Sequence, residues 1–206
     1  VVATAMLRGA RGNSGVITSL LFRGFSKGLK DCEEVNAKNL AEALKLGVDA
    51  AYKAVMKPTE GTILTVARVA SEYAKKAYAE GKSDIEVFEA AIEGAQIALE
   101  QTPELLPQLK KAGVVDAGGY GFVLILKGML SVMKDGVMIK SNSSVEITDD
   151  EEEESSRNAA GEFETEITFT YCTEFIVNRA EECEKEPAEL RAYLETIGDC
   201  VVVVDD

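Results

Sequence analysis

The stretch from Arg8 to Phe22, RGARGNSGVITSLLF, decides the fold. It places a polar, glycine-rich loop directly before a long apolar run, which is typical of the start of a buried helix. The first backbone N–H groups of a helix have no partner inside it, and Asn13 or Ser14 can cap them. Gly12 and Gly15 remove side chains from the mouth of that helix, and a bare, positive helix end suits a phosphate group. Because most helix caps bind no ligand, this loop alone decides no function.

Helical periodicity continues from this loop to about Lys134. The predicted helices are about 14–30, a second from the cap Asn36 to Lys57-Pro58, a third from Thr62 to about Glu80, a fourth from Ser83 or Asp84 through Leu99, a short fifth that opens at Thr102-Pro103-Glu104 and ends at Gly113, and a sixth from Gly118 or Gly119 to about Lys134. Residues 1–7 are also in helical register. With no strand-like alternation before Lys134, residues 1–140 are predicted as a mainly α, antiparallel helical bundle.

The composition changes after residue 140. Residues 141–162 contain six consecutive acidic residues, which predicts a solvated acidic linker, with an acidic docking tail as the alternative. Beyond the linker, residues 164–171, 175–177 and 200–204 have strand character and residues 187–196 helical character. Residues 163–206 are therefore predicted as the start of an α+β domain. Since both ends of the sequence fall inside or directly after predicted elements, we expect a fragment of a longer protein, with N-terminal helices missing.

Charge and cysteine content restrict the class of protein. The 206 residues carry a net charge of −14 and no histidine, the commonest general base and zinc ligand. Residues 1–145 hold 18 basic and 16 acidic residues, a net of +2, whereas residues 146–206 hold 4 and 20, a net of −16. The acidic tail disfavours a nucleic-acid partner. No apolar run reaches the roughly 18 residues that span a bilayer, and four cysteines without a CxxC pair are typical of cytoplasmic thiols.

Three glycine-rich loops precede helices, at Arg8–Gly15, Lys57–Thr62 and Val114–Gly121. In an up-down bundle the first and third predicted helices begin at the same end, and the sixth joins them if the short fifth helix makes only half a traverse. The three loops would then form one rim suited to a polyanion such as a nucleotide, with Arg8 and Arg11 adding positive charge. The alternative is three unrelated turns, since no P-loop or dinucleotide-binding glycine motif is present.

The motifs in these loops carry a resemblance to a known family. RGARGNSGVI, KPTEGTILTVA and TPELLPQLKKAGVVDAGGYGF, in this order and at this spacing, closely resemble the ATP-binding subunit of bacterial fatty-acid kinase. The N-terminal domain of that subunit is related to the L subunit of dihydroxyacetone kinase. The resemblance covers residues 1–140, and the segments TYCTEFIV and IGDCVVVVDD resemble the beginning of the family's middle domain.

The resemblance implies an eight-helix antiparallel barrel, of which this chain would hold six helices and part of a seventh. It implies a kinase that binds ATP and Mg²⁺ at one end of the barrel and phosphorylates a fatty acid carboxylate held by a separate lipid-binding subunit. The acyl phosphate would feed phospholipid synthesis, and an ionised carboxylate needs no general base. The residues that the resemblance places at the nucleotide are Gly12, Asn13, Ser14, Gly15, Gly61, Thr62, Ile63, Asp116, Gly118 and Gly119.

Both metal sites of that family depart from the pattern here. The family's magnesium loop, Asp-Gly-Asp-Thr-Gly, would precede Val1, so we expect this chain alone to lack Mg²⁺-dependent turnover. Cys172 stands at the place of a zinc-ligating cysteine, but its two histidine partners would lie beyond Asp206. One thiolate does not hold structural Zn²⁺, so we expect no metal here, and a buried strand residue is the alternative interpretation of Cys172.

Two other functions stay open. The first is a kinase for dihydroxyacetone or another small alcohol, which the appended α+β segment disfavours. The second is a non-catalytic helical regulatory module that keeps the loops without the chemistry, which would follow if the parent gene lacks the Asp-Gly-Asp-Thr-Gly loop. A homo-oligomer is compatible with all three functions.

Overall fold

A computed structural model of the chain describes residues 1–136, 173, 175–177, 180, 183, 185–198 and 201–204. The chain divides into two compact units, one of Val1–Val137 with Asn178–Asp206 and one of Met138–Val177. The described residues form the helices α1 Val2–Gly9, α2 Gly12–Gly28, α3 Ala37–Ala54, α4 Ile63–Ala79, α5 Asp84–Leu105, α6 Pro107–Ala112, α7 Ala117–Asp135 and α8 Pro187–Leu194.

Helices that follow one another in the chain pack side by side. α2 packs on α3, α3 on α4 and α4 on α5, while α7 lies against both α4 and α5. Because short loops join these neighbours, consecutive long helices run antiparallel. The prediction of a mainly α helical bundle is confirmed. No helix in the described part of the chain has the length and apolar character needed to span a bilayer.

The crossing of α2 and α3 brings two backbones into contact. A Cβ atom on Gly24 would lie 2.2 Å from the carbonyl oxygen of Leu46, and a Cβ atom on Gly47 would lie 2.5 Å from that of Leu21. Only glycine fits at either position. The core around this crossing is rich in small residues, and its buried alanines are Ala41, Ala43, Ala51, Ala54, Ala67, Ala70, Ala74, Ala77, Ala91, Ala95 and Ala98.

Side-chain caps fix most helix starts, and they agree with the sequence. Asn36 and Ser83 form capping boxes at α3 and α5, Thr62 caps α4, and Asp116 caps α7. The expected cap of α2 by Asn13 or Ser14 was wrong. The N-cap position of α2 is Arg11, and no side chain caps it. A capping residue has an extended backbone outside the helix, whereas residues 13 and 14 lie inside its first turn.

The predicted helix start at Thr102-Pro103-Glu104 was also wrong, because α5 continues through Pro103 to Leu105 and α6 begins at Pro107. Proline lacks the N–H that a helix interior requires, and at residue 103 that group would bond the carbonyl of Leu99. The hydroxyl of Thr102 donates to this carbonyl instead, at 2.7 Å. The threonine thus supplies the hydrogen bond that the proline cannot make.

The C-terminal segment of the first unit lies against the end of α3. Val202 forms an isolated antiparallel bridge with Val55, and the Arg191 guanidinium of α8 donates to the carbonyls of Val203 at 2.8 Å and Lys53 at 3.4 Å. The predicted strand at 175–177 is not formed, and the predicted strand at 200–204 is reduced, in its described residues 201–204, to the one bridge. A strand requires a hydrogen-bonded neighbour along its length, and residues 201–204 find one only at Val55.

Several predictions fall outside the described residues. These are the linker over 141–162, the strand over 164–171 and the position of Cys172. They stay predictions.

Candidate functional site

The first and third glycine loops meet at a shared cleft of about 440 Å³. One wall comes from α1 and the start of α2, and the other from the first two turns of α7. The residues that line the cleft are Met6, Gly9, Ala10, Arg11, Ser14, Gly15, Thr18, Ala117, Gly118, Gly121, Phe122 and Ile125. Its two ends differ in chemistry, because glycine backbone and small polar side chains line one part and Phe122, Ile125 and Met6 line the other.

Three of the lining glycines are not required by packing. A Cβ atom on Gly9 or Gly121 would meet nothing within 4 Å, and one on Gly15 would sit in ordinary contact with Ala10 at 3.4 Å. Glycine costs stability inside a helix when no close approach requires it. At Gly15 in α2 and Gly121 in α7 the chain bears this cost, and the result is a cleft whose walls expose backbone.

The start of α2 faces this cleft with its positive end. No side chain caps the helix, so the N–H groups of its first turn are not occupied by a capping oxygen. Ser14 is exposed and lines the cleft, and its carbonyl accepts a hydrogen bond from the Thr18 hydroxyl at 2.8 Å. Arg11 adds a positive charge at the rim, where its guanidinium donates to the carbonyl of Ala10 at 2.7 Å. This end of the cleft is suited to an anion.

The third loop places Asp116 and Gly119 away from the cleft lining. One carboxylate oxygen of Asp116 accepts from the N–H of Gly119 at 2.7 Å and so caps α7. The Asp116 N–H donates to the Thr102 hydroxyl at 3.0 Å. Gly119 is needed for packing, since a Cβ atom there would lie 2.7 Å from Cγ2 of Val66. Gly118 is the predicted residue of this loop that lines the cleft.

The second loop lies behind the third loop and does not line the cleft. Thr62 caps α4, and its hydroxyl donates to the carbonyl of Thr59 at 2.8 Å. Ile63 is buried, and its Cβ atom lies 3.4 Å from the position of a Cβ atom on Gly118. Residues 61–63 therefore support the glycine wall from outside the cleft. The predicted residues of the first loop that likewise do not line it are Arg8, Gly12 and Asn13.

A polar network holds the second loop in place. The Glu60 carboxylate accepts from the hydroxyls of Tyr52 at 3.1 Å and Thr65 at 2.8 Å and from the Arg68 guanidinium at 2.8 Å. Burial acts to raise the pKa of Glu60, but these three donors outweigh it and lower the pKa below the ordinary value of 4.5. Burial raises the pKa of Tyr52, and the hydrogen bond from Arg68 to Glu60 raises the pKa of Arg68.

This network predicts a specific acid sensitivity. Because folding lowers the pKa of Glu60, its contribution is present near neutral pH and is lost as the pH falls below 4.5 through the lowered value. The Glu60 side chain is 47% exposed, so we expect a contribution of only about 0.5–1 kcal/mol. Unfolding free energies of the wild type and Glu60→Gln, measured from pH 7 to pH 3, should converge at the acid end. The same substitution at the exposed Glu100 should leave the pH dependence unchanged, and parallel curves for wild type and Glu60→Gln would contradict this assignment.

Sequence reasoning missed much of the cleft lining. Gly121 belonged to the quoted third loop but was not carried into the predicted site, and Thr18 and Ile125 were taken only as helix residues. Helical spacing was the signal that could have found them, because Ser14 and Thr18 are four residues apart, as are Gly121 and Ile125. Once the starts of α2 and α7 are known, each pair lies on one face.

The described residues do not fit a Mg²⁺ site. No group of three or more His, Cys, Asp or Glu side chains in this part of the chain could hold a metal ion. Asp116 is the carboxylate closest in sequence to the cleft lining, and one of its oxygens is committed to the cap of α7. The cleft therefore offers backbone, hydroxyl and guanidinium groups to a phosphate, without a carboxylate cluster for its metal.

Two family models match the chain, and together they span most of it. The DAK2 domain matches residues 1–131, and the middle domain of FakA-like fatty acid kinase proteins matches residues 168–206. An antiparallel helical domain with a glycine-lined cleft and a DAK2 match defines a kinase-type protein. The chain belongs to the FakA-like family of fatty acid kinase proteins.

Curated relatives are similar over nearly the whole chain. Protein YloV of Bacillus subtilis is 44% identical over 211 residues, which cover 100% of this chain and 37% of YloV. An uncharacterized protein of Staphylococcus saprophyticus is 43% identical, covering 98% of this chain and 36% of the relative. One from Staphylococcus aureus is 42% identical, covering 98% and 37%. The chain thus spans little more than a third of the length of these relatives.

Proposed function

We propose that this chain is the nucleotide-binding part of a cytoplasmic kinase that transfers the γ-phosphate of ATP to the carboxylate of a fatty acid. A separate lipid-binding subunit presents the fatty acid, and the product is an acyl phosphate for phospholipid synthesis. The observation that carries the proposal is the cleft between α2 and α7, where an uncapped helix start faces glycine backbone from a second helix. Membership of the FakA-like family supports it.

The cleft residues have distinct roles in this proposal. The N–H groups of residues 12–15 bind phosphate oxygens, because a helix start supplies several donors and a positive end. Arg11 neutralises part of the phosphate charge. Gly15, Gly118 and Gly121 let the ligand approach backbone atoms that a side chain would cover. An ionised fatty acid carboxylate attacks without a general base, which is compatible with a chain that has no histidine.

The remaining predicted residues support the cleft from behind. Asp116 caps the helix that carries Gly118, and Ile63 packs against Gly118. We assign Gly61, Thr62 and Gly119 to the same supporting role, since none of them lines the cleft. The described carboxylates do not fit Mg²⁺, so the proposal rests on phosphate binding by this chain's own groups. The zinc role of Cys172 stays a prediction.

Two measurements on the full-length protein test the proposal. Isothermal titration should show saturable ATP binding in the presence of Mg²⁺. Phosphate transfer from ATP should then be assayed with oleate plus a lipid-binding protein, and in parallel with dihydroxyacetone. Transfer to oleate alone is expected. Transfer to dihydroxyacetone would instead identify a small-alcohol kinase, and a folded protein that does not bind ATP would identify a non-catalytic module.

Ser14→Ala should separate ligand binding from folding. Ser14 lies in the first turn of α2 and does not cap it, so we expect the free energy of unfolding to change by less than about 0.5 kcal/mol. The hydroxyl lines the cleft, and the loss of one hydrogen bond to a charged phosphate should weaken ATP binding by roughly tenfold. Calorimetric titration and thermal unfolding of the same samples check both values. Unchanged ATP affinity would remove Ser14 from the site.

A further inference from the structure

We infer that Thr102 is a positioning residue that holds the third glycine loop at the nucleotide cleft, an inference that rests on the proposed function. Thr102 is fully buried at the end of α5 and does not line the cleft. Its hydroxyl joins two separate parts of the chain. It donates to the Leu99 carbonyl at 2.7 Å and accepts from the Asp116 N–H at 3.0 Å.

The neighbouring proline explains why this position needs a hydroxyl. Pro103 has no N–H to offer the Leu99 carbonyl, so the carbonyl depends on the Thr102 hydroxyl for a donor. The Asp116 N–H precedes the first turn of α7 and finds its acceptor in the same hydroxyl oxygen. One buried O–H group thus satisfies a carbonyl of α5 and an N–H of the third loop, and both would be costly to leave unpaired.

The contact with Asp116 reaches the cleft through the cap of α7. The Asp116 carboxylate accepts from the N–H of Gly119 at 2.7 Å, which fixes where α7 begins. The turns that follow carry Gly118 and Gly121, which line the cleft. If Asp116 shifts, the direction of the first turn of α7 changes and the glycine wall shifts with it.

The second loop rests on the same residue. A Cβ atom on Gly61 would lie 3.0 Å from the carbonyl oxygen of Thr102, and Gly61 has a positive φ of 82° that favours glycine. Gly61 therefore packs closely on the backbone that carries the hydroxyl. Thr102 touches the second loop with its carbonyl and the third loop with its hydroxyl, so one residue sets the spacing of both.

Thr102→Val and Thr102→Ser form a matched pair for the test. Valine keeps the shape and loses both hydrogen bonds, whereas serine keeps the hydroxyl. In the full-length protein we expect Thr102→Val to raise the ATP Kd by about tenfold, equivalent to ~1.4 kcal/mol, and Thr102→Ser to restore it to within about twofold of wild type. Equal ATP affinity for the valine variant and wild type would overturn the inference.

A second background separates positioning from stability. Pro103→Ala supplies an N–H to the Leu99 carbonyl, so in this background Thr102→Val loses only the contact with Asp116. We expect the drop in unfolding midpoint caused by Thr102→Val to be smaller with Pro103→Ala, while the tenfold loss of ATP affinity is unchanged. A loss of affinity that shrinks in step with the loss of stability would show a merely structural role.

Amide hydrogen exchange in nucleotide-free protein gives a readout that does not depend on ATP. The Asp116 and Gly119 amides should exchange at least tenfold faster in Thr102→Val than in wild type, and at the wild-type rate in Thr102→Ser. Wild-type protein that fails to bind ATP would sink the proposed function, and the exchange rates would still decide whether Thr102 holds this loop. Unchanged exchange in Thr102→Val would overturn the inference in either case.

Discussion

Gly121→Leu is expected to raise the ATP Kd by more than a hundredfold without lowering the unfolding midpoint. Gly121 lines the cleft, and a Cβ atom there meets no protein atom within 4 Å, so the added side chain fills ligand space only. Leucine is also a better helix former than glycine by about 0.8 kcal/mol, which should make the free protein slightly more stable. Isothermal titration with ATP and thermal unfolding check the two halves of the prediction.

The control for this substitution lies on the same helix. Gly128 is two turns beyond Gly121 on a similar face of α7, and a Cβ atom there also meets nothing within 4 Å. Gly128→Leu should therefore leave ATP affinity within about twofold of wild type. If both variants bind ATP like wild type, the cleft between α2 and α7 is not the nucleotide site.

Gly24→Ala is expected to destabilise the chain by about 3 kcal/mol, at the upper end of the usual cost of overpacking. The new methyl group would lie 2.2 Å from the Leu46 carbonyl oxygen, and α2 and α3 would have to move apart to accept it. A loss of this size should lower the unfolding midpoint by roughly 6–12 °C. Thermal or urea unfolding of purified protein measures it.

Gly128→Ala serves as the reference for this second prediction. It makes the same chemical change in a helix where no atom lies close, and it should raise stability by roughly 0.5–1 kcal/mol. The contrast between the two variants isolates the α2–α3 contact from helix propensity. A Gly24→Ala variant as stable as wild type would mean that the helices separate there at little cost.

The bundle could be predicted from sequence because its helix signals are local. Asn36 and Ser83 each precede an apolar periodic run, and both form capping boxes at the helix starts in the structure. Thr62 and Asp116 cap their helices in the same way. Capping depends on a few consecutive residues, so these boundaries needed no knowledge of the fold.

Errors occurred where a distant partner decides the structure. Thr102-Pro103 looks locally like a helix start, and only the hydroxyl bond to Leu99 shows why α5 continues through it. The sequence also could not separate Gly24, which packing requires, from Gly121, which it does not. Both are glycines on apolar helices, and their difference depends on which helix lies opposite. The second loop likewise lies behind the third because Ile63 packs on Gly118, a tertiary contact.

The distinction between these two kinds of glycine has a consequence for natural variation. A residue that packing requires is under selection in every descendant that still folds, whether or not the descendant keeps its chemistry. Gly121 is free of that constraint, and most mutations there would give a helix at least as stable. Descendants that abandon the ligand should therefore lose Gly121 by drift while they retain Gly24 and Gly47, so the residue found at 121 separates working homologues from retired ones.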